Sequence, residues 1–249
     1  MAEEQLEQPY ARYYQRWHDG SPEQEKRQVD YFTRLILDKL PVDTDAPLLD
    51  VGCGTGDLLV ALQRLGYSNI LGVDRDSELV DIAHQRNLPV TQSGDAEDFL
   101  RLHPDTYTMV FAMDVLEHLP PHRQLRFCQS MLTSMKPGGR LLITVPNANA
   151  SIAARWRYND LTHHTSFTES SLDHLLYLAG CTEVVVEAQE LMPTPPWYRL
   201  FTPHGVRWIL LKLLRGRQRL EMLAEFGRQE GASIPLSPNL MASARKPAP

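Results

Sequence analysis

The sequence predicts an α/β domain built on a doubly wound, mostly parallel sheet. Two observations carry this. Short apolar runs of strand length alternate with amphipathic stretches at helical spacing. The first of those runs, Leu48-Leu49-Asp50-Val51, opens into a turn with glycine at every second position: Gly52, Gly54 and Gly56. Strand, glycine turn and helix in that order make a ligand-binding edge, because glycine removes the Cβ that would bar close approach and the next helix presents its first amides.

Size and composition bound the answer. A chain of 249 residues, 43% hydrophobic, buries one sizeable core with appendages. The formal net charge of −6 argues against a general nucleic-acid binder, which needs a basic face. Cys53, Cys128 and Cys181 are odd in number and lack C-x-x-C spacing, which fits a reducing cytoplasm and indicates neither a disulfide framework nor a zinc site. The start, Met1-Ala2-Glu3-Glu4-Gln5, is acidic and has no apolar segment, so no signal peptide is expected, and no apolar run reaches the length of a bilayer span.

The elements follow in order. Pro9 to Trp17 holds four aromatics (Tyr10, Tyr13, Tyr14, Trp17) that either pack on the domain or cover a ligand. Val29, Phe32, Leu35, Ile36 and Leu40 recur at helical spacing between Glu23 and Leu40, Pro41 ends that helix, and it should pack on the sheet without carrying chemistry. After the glycine turn, Leu58, Leu59, Ala61, Leu62 and Leu65 line one helix face. Asn69 to Asp74 is a second strand, Ser77 to Asn87 a helix, and Pro89 to Gln92 a third strand. Asp95 can cap the helix Glu97 to Leu102. Tyr107 to Ala112 is a fourth strand from whose end Met113 and Asp114 emerge. Gln124 to Met135 is a helix, Lys136 to Gly139 a turn, and Arg140 to Val145 a fifth strand. A long polar loop then spans Arg155 to Phe167, a helix capped at Thr168-Glu169-Ser170-Ser171 runs to Ala179, and Cys181 to Ala188 is a sixth strand. An insertion of about forty residues precedes a seventh strand, Ser237 to Arg245, where a hairpin would suffice.

Charge at the glycine turn sets it apart from a dinucleotide loop. Asp50 precedes the first glycine and would repel a pyrophosphate, but it suits an ammonium or sulfonium ligand. Asp74 lies about twenty residues beyond, where a carboxylate can accept both hydroxyls of a ribose.

These residues resemble the class I S-adenosylmethionine-dependent methyltransferases. The likeness runs through Asp50-Val51-Gly52-Cys53-Gly54-Thr55-Gly56, Asp74, Gly94-Asp95-Ala96-Glu97, Met113-Asp114-Val115-Leu116-Glu117-His118-Leu119 and Lys136-Pro137-Gly138-Gly139. The resemblance implies a Rossmann-like fold of seven strands with an antiparallel last strand. It divides the chain into an N-terminal aromatic lid segment and helix (1–44), a cofactor-binding core (45–190), a helical insertion (191–236) and a final strand and tail (237–249). It implies S-adenosylmethionine as cofactor, held by Asp50, Gly52, Cys53, Gly54, Gly56, Asp74, Arg75, Asp95, Ala96, Met113, Asp114 and Tyr14. In that reading Asp95, with Ala96 beside it, meets the adenine amino group. Cys53 is otherwise a small loop residue, since the sequence places no activating base beside it.

Pro146-Asn147, Asp160-Leu161-Thr162-His163 and Phe167-Thr168 with Ser171 further resemble methyltransferases of bacterial surface-polysaccharide and related glycan or lipid pathways. That likeness implies a glycan, lipid-linked or small-molecule acceptor, methylated at oxygen or nitrogen. His118, His163 and His164 are base candidates, since imidazole titrates near neutrality; each is equally readable as a structural histidine. Trp156, Arg157 and Tyr158, with Tyr13 and Tyr14, are acceptor-pocket candidates. Asp160 with His163 or His164 has metal-ligand types without diagnostic spacing, and no metal is expected.

In the insertion, Val206, Trp208, Ile209, Leu210, Leu213 and Leu214 alternate with Arg207, Lys212, Arg215, Arg217 and Arg219. Such a helix, 204–220, can lie on an anionic membrane surface, close the acceptor pocket or form a homodimer contact. Two rival readings remain: a nicotinamide-dependent oxidoreductase, which would want a dinucleotide-spaced loop and a Tyr-x-x-x-Lys pair, and a non-catalytic scaffold that keeps the cofactor pocket.

Overall fold

The computed structural model describes residues 21–190 and 194–248. The aromatic segment with Tyr10, Tyr13, Tyr14 and Trp17 lies outside the described residues.

A seven-stranded sheet in the order β3-β2-β1-β4-β5-β7-β6 organises the chain. Its strands are β1 (Leu48–Val51), β2 (Ile70–Asp74), β3 (Val90–Gln92), β4 (Tyr107–Met113), β5 (Met135–Pro146), β6 (Thr182–Gln189) and β7 (Asn239–Arg245). The first five are parallel, and β7 runs antiparallel between β5 and β6. The chain order reverses between β1 and β4, the position where open α/β sheets bind ligands beyond their strand ends.

Alternation along the strands divides the core between two faces. Leu49, Val110 and Ile143 point to one face, where Phe127 and Met131 of α5 (Pro121–Ser134) and Leu172 and Leu176 of α7 (Glu169–Leu178) cover them. Leu48, Met109, Phe111 and Leu142 point to the other. There Ile36 of α1 (Pro22–Ile36), Leu58, Leu59 and Leu62 of α2 (Asp57–Arg64) and Val80 of α3 (Ser77–Gln85) close the layer. The short α4 (Ala96–Leu102) joins the first face through Phe99 and Leu100. Helices on both faces of a parallel sheet are the doubly wound arrangement.

Helix starts follow capping chemistry. Ser21 Oγ accepts from Gln24 N at 3.2 Å with Pro22 opening α1. Thr168 and Ser171 satisfy one another's amides in a capping box ahead of α7.

Four boundaries differ from expectation. α1 stops at Ile36, and Leu37 to Leu40 form a turn closed by Lys39 N donating to Ile36 O at 2.8 Å. Pro41 disfavours helical backbone at the residue before it, so the helix unwinds early. Lys136 to Gly139, read as a turn, lie inside β5 as a bulge: Tyr107 pairs with Met135, and the next pair is Met109 with Arg140. Gly138, at φ +75°, absorbs the bend. The polar loop is half helix, α6 (Ala153–Asn159), because Ala153 and Ala154 favour helix although its residues bury no apolar face. β7 begins at Asn239, two residues later than read.

The insertion becomes a 3-10 turn, Trp197–Arg199, and a long helix, α8 (Pro203–Ser233), broken at Gly227 where φ is 76° and ψ 177°. Beyond the break the chain folds back so closely that a Cβ at Gly231 would lie 2.4 Å from Met222 O.

Candidate cofactor and acceptor site

The glycine turn joins β1 to α2 at the carboxyl edge of the sheet. At Gly54, φ is +52° and, among the described residues, no atom would lie within 4 Å of an added Cβ, so the left-handed backbone there leaves room for close approach. At Gly56 an added Cβ would strike Leu88 Cδ1 at 2.3 Å, so this glycine instead permits close packing of the turn on α3's exit. Arg86 braces the turn from the same side, donating to Thr55 O and pairing with Asp57 at 2.9 Å.

Two acids flank the turn. Asp50 is buried, and its Oδ1 has no hydrogen-bond partner among the described residues. Burial, with Asp74 and then Asp57 adding repulsion, pushes its pKa up to about 8. Asp74 accepts Gly54 N at 2.8 Å on Oδ2 and Asp76 N at 2.9 Å on Oδ1. Burial raises its pKa while those amides hold it down. The Asp74 carboxylate thus locks the turn through the backbone, and each oxygen retains a further lone pair for a ribose hydroxyl. An orphaned buried carboxyl oxygen at Asp50 and room for approach at Gly54 fit a ligand carrying positive charge. Cys53 is buried, and burial followed by the Asp50 charge drives its thiol pKa upward, so it is an inert packing residue against Gly72.

Arg75 follows Asp74 on the exposed side. Asp95 performs the capping role, accepting Glu97 N at 2.8 Å on Oδ1, while Oδ2 takes Arg123 Nη2 at 2.8 Å. Arg123 also bonds the buried Glu97 at 2.9 and 2.6 Å, a clamp between residues 26 apart that no local pattern marks. Ala96 opens α4 beside it.

Met113 ends β4 beside β1, and Asp114 follows at φ 54°. Thr144 Oγ1 donates to Asp114 Oδ1 at 2.9 Å and accepts from Asp114 N at 3.1 Å, which holds this strained residue. Surrounding protein desolvates the Asp114 carboxyl and raises its pKa, against the hydrogen bond from Thr144 and the nearby His163. Tyr31 of α1 faces it: burial and the Asp114 charge raise the phenol's pKa, and Gln189 Nε2 donates to Tyr31 Oη. The first helix, read as packing on the sheet without carrying chemistry, thus brings one side chain near Asp114.

The histidines regroup. His118 and His163, 45 residues apart, bring their rings to 4.6 Å between centroids at 76°. His164 turns away: its backbone N donates to Glu117 O at 2.7 Å and its exposed side chain lines an outer recess with Arg157, Tyr158 and Ser166. The sequence pair His163-His164, which follows the turn closed by His163 N donating to Asp160 O, is therefore not a pair in space. His118 Nδ1 lies 2.7 Å from Thr162 Oγ1, which donates to Asp160 Oδ1 at 2.6 Å. His163 Nδ1 lies 2.9 Å from Trp156 O. Burial, then the neighbouring His163, lowers His118 to a pKa of about 4, so its ring is neutral. Glu117 is buried with a pKa raised well above the carboxylate range by burial and Asp114.

Of the acceptor-pocket candidates, Arg157 and Tyr158 stack on each other at 5.1 Å over the outer recess. Trp156 contributes its carbonyl to His163. Tyr13 and Tyr14 lie outside the described residues. A second recess lies under α1, lined by Arg27, Asp30, Tyr31 and Arg34. Glu117 and Thr162 carry no site role in the sequence reading, although Glu117 adjoins His118 and Thr162 adjoins His163; Asp160, weighed there as a metal-ligand type, instead accepts the Thr162 hydroxyl.

Known proteins place these features. The S-adenosylmethionine-dependent methyltransferase from Archaeoglobus fulgidus is similar over 95% of this chain and all of its own length, at 20% identity and a TM-score of 0.64. Haemonchus contortus phosphoethanolamine N-methyltransferase 2, solved with S-adenosylhomocysteine, is similar over 86% of this chain and 52% of that one, at 18% identity and a TM-score of 0.58. In sequence, the ubiquinone biosynthesis O-methyltransferase of Xanthomonas campestris is 37% identical over 108 residues, 41% of this chain and 44% of that protein. The match thus spans less than half of that relative. Residues 23–186 match the methyltransferase-domain family, so the chain belongs to that family of S-adenosylmethionine-dependent enzymes.

Proposed function

We propose that the chain transfers the methyl group of S-adenosylmethionine to a hydroxyl oxygen of a small-molecule, glycan or lipid-linked acceptor. The observation that carries this is the cluster at the end of β4, where Asp114, His118 and His163 gather beside the two-acid turn. When bound, the cofactor supplies an electrophilic methyl group on a sulfonium, which Asp50 and Asp114 favour by charge. Asp74 and the glycine turn hold the nucleoside end. These residues would orient an acceptor hydroxyl toward that methyl group, with His118 and His163 as the base candidates that would take up its proton. Several curated relatives bear an O-methyltransferase name, which supports oxygen as the acceptor atom.

The surface of α8 favours a lipid-linked acceptor. Residues 194–220 hold six Lys or Arg and no Asp or Glu, and Trp197, Phe201, Leu213 and Leu214 are exposed there. We assign this surface to an anionic bilayer.

The experiment is calorimetry with S-adenosylmethionine and with NAD, followed by incubation with methyl-labelled donor and separate membrane and soluble extracts. Donor binding and an alkali-stable label in the membrane fraction are expected. Binding of NAD alone would restore the oxidoreductase reading. Donor binding without label in either fraction would restore the scaffold.

A further inference from the structure

We propose that the outer recess beyond the end of β5 binds a phosphoryl group, and that this group belongs to the methyl acceptor. Three pieces of chain enclose the recess: the exit of β5 at Ala148, the helix α6 and the stretch 164–166. Ala148 N donates to Phe167 O at 2.7 Å and Asn147 bridges Phe167, which ties the first piece to the third. Ala148, Ala153 and Ala154 bring only methyl groups to it. They leave a volume of about 380 Å³, within the range of small-ligand sites, about 300–1,000 Å³.

The polar groups around this space can all donate. Arg157 pairs with no acid among the described residues and rests against the Tyr158 ring at 5.1 Å. The exposed His164 side chain lines the same recess. Ser166 supplies the independent mark: its Oγ is buried and has no hydrogen-bond partner among the described residues. Neighbouring Thr165 shows the ordinary outcome, its hydroxyl accepting from Gln124 Nε2 at 2.9 Å. Buried hydroxyls are rarely left unpaired, so the Ser166 proton points to a group that the protein does not itself provide. Among the described residues that line the recess there is no carboxylate. A guanidinium, an imidazole and a hydroxyl with no acid among them suit an anion. The guanidinium fork engages two oxygens at once, and a phosphoryl group still offers a third to the other donors, which a carboxylate does not.

The recess and the histidine cluster share one stretch of chain. His163 brings its ring to 4.6 Å from that of His118, and His164 beside it faces the recess. A methyl acceptor anchored at Arg157 by its phosphoryl group is thereby placed next to the base candidates, which selects phosphate esters over the corresponding neutral alcohols. That the bound group is part of the methyl acceptor rests on the methyl-transfer reading; the binding itself does not. A lipid headgroup and a soluble ester both present a phosphoryl group, and the test separates them.

The test is calorimetry on the full-length protein with glycerol 3-phosphate, with short-chain phosphatidic acid below its micelle concentration, and with glycerol as the neutral control. Saturable binding of one phosphate ester per chain is expected, and none of glycerol. Arg157→Ala should weaken it at least about 10-fold and Ser166→Ala about 3-fold or more. Arg155→Ala removes an exposed charge of α6 outside the recess and should leave binding within about 2-fold. If Arg157→Ala misfolds, Ala153→Leu decides: it fills the recess with Arg157 in place and must weaken binding by about 10-fold as well. Tighter binding of phosphatidic acid than of glycerol 3-phosphate assigns the lipid source, and equal or weaker binding the soluble one. Wild-type protein that binds the methyl donor but no phosphate ester overturns the recess and spares the function. Equal losses in Arg155→Ala and Arg157→Ala also overturn it, because the binding is then general surface charge. Phosphate-ester binding without donor binding overturns the methyltransferase reading alone.

Discussion

Asp50 is held against its solution chemistry, and that makes it a reporter. Its pKa stands at about 8 in the folded ligand-free protein against an ordinary value of 3.8. The folded state therefore holds a proton that the unfolded state has released between those limits, and stability falls as pH rises from about 4 to about 8. Asp50→Asn removes that loss. Thermal melts of the variant should gain about 2–8 °C over wild type at pH 8 and nothing below pH 4, and equal midpoints at both pH values would show that the carboxyl is not strained. A sulfonium or ammonium ligand favours the ionised carboxylate, so S-adenosylmethionine binding at pH 7 should release up to about one proton. Calorimetry in buffers of different ionisation enthalpy measures this, and the release should vanish in Asp50→Asn.

Among the elements, strands and glycine turn were legible because their signals are local: Leu48 to Val51 and Tyr107 to Met113 are apolar at strand length and end where glycine or acid begins. What sequence periodicity cannot supply is direction in irregular chain. His163 and His164 look like a pair, but the irregular chain after the turn at Leu161-Thr162 sends one ring to His118 and the other outward. Glu117 reads as a surface acid until the 3-10 turn folds it inward. Tyr31 sits in a helix whose apolar spacing is fully explained by packing, so its approach to Asp114 depends on where that helix docks. Gly227 likewise passes for an ordinary helical glycine. Its φ of 76° with ψ of 177° is open to glycine alone, and it lets the end of α8 fold back. Gly227→Ala should cost about 1–3 kcal/mol, read as a lowered midpoint in denaturant with cofactor affinity retained. A variant as stable as wild type would mean α8 runs straight.

At the scale of the whole molecule, topology brings the insertion beside the chemistry. β6 enters it at Gln189, which bonds Tyr31, and β7 leaves it at Asn239, whose Nδ2 lies 3.5 Å from Asp114 Oδ1. Arg215 ties the helix back to Glu190 at 2.8 Å, next to the end of β6 where Gln189 meets Tyr31. The chain carries −6 overall, yet residues 194–220 carry +6, leaving −12 elsewhere. If α8 meets an anionic bilayer as proposed, that asymmetry would orient the molecule on it: the rest would be repelled and α8 drawn in, at about 1 kcal/mol per basic residue near the bilayer. No helix among the described residues is long and apolar enough to cross a membrane, so α8 would lie along the surface. Vesicles containing phosphatidylglycerol should therefore sediment the protein at low salt, phosphatidylcholine vesicles should not, and 0.5 M salt, added at about a 4 Å screening length, should release most of it. Leu213→Glu with Leu214→Glu should weaken vesicle binding about 10-fold or more, because both side chains are more than half exposed and would have to enter the interface. If those changes instead split a dimer seen by ultracentrifugation while wild type ignores both vesicles, the exposed face belongs to a second copy of the chain and the acceptor need not be lipid-borne.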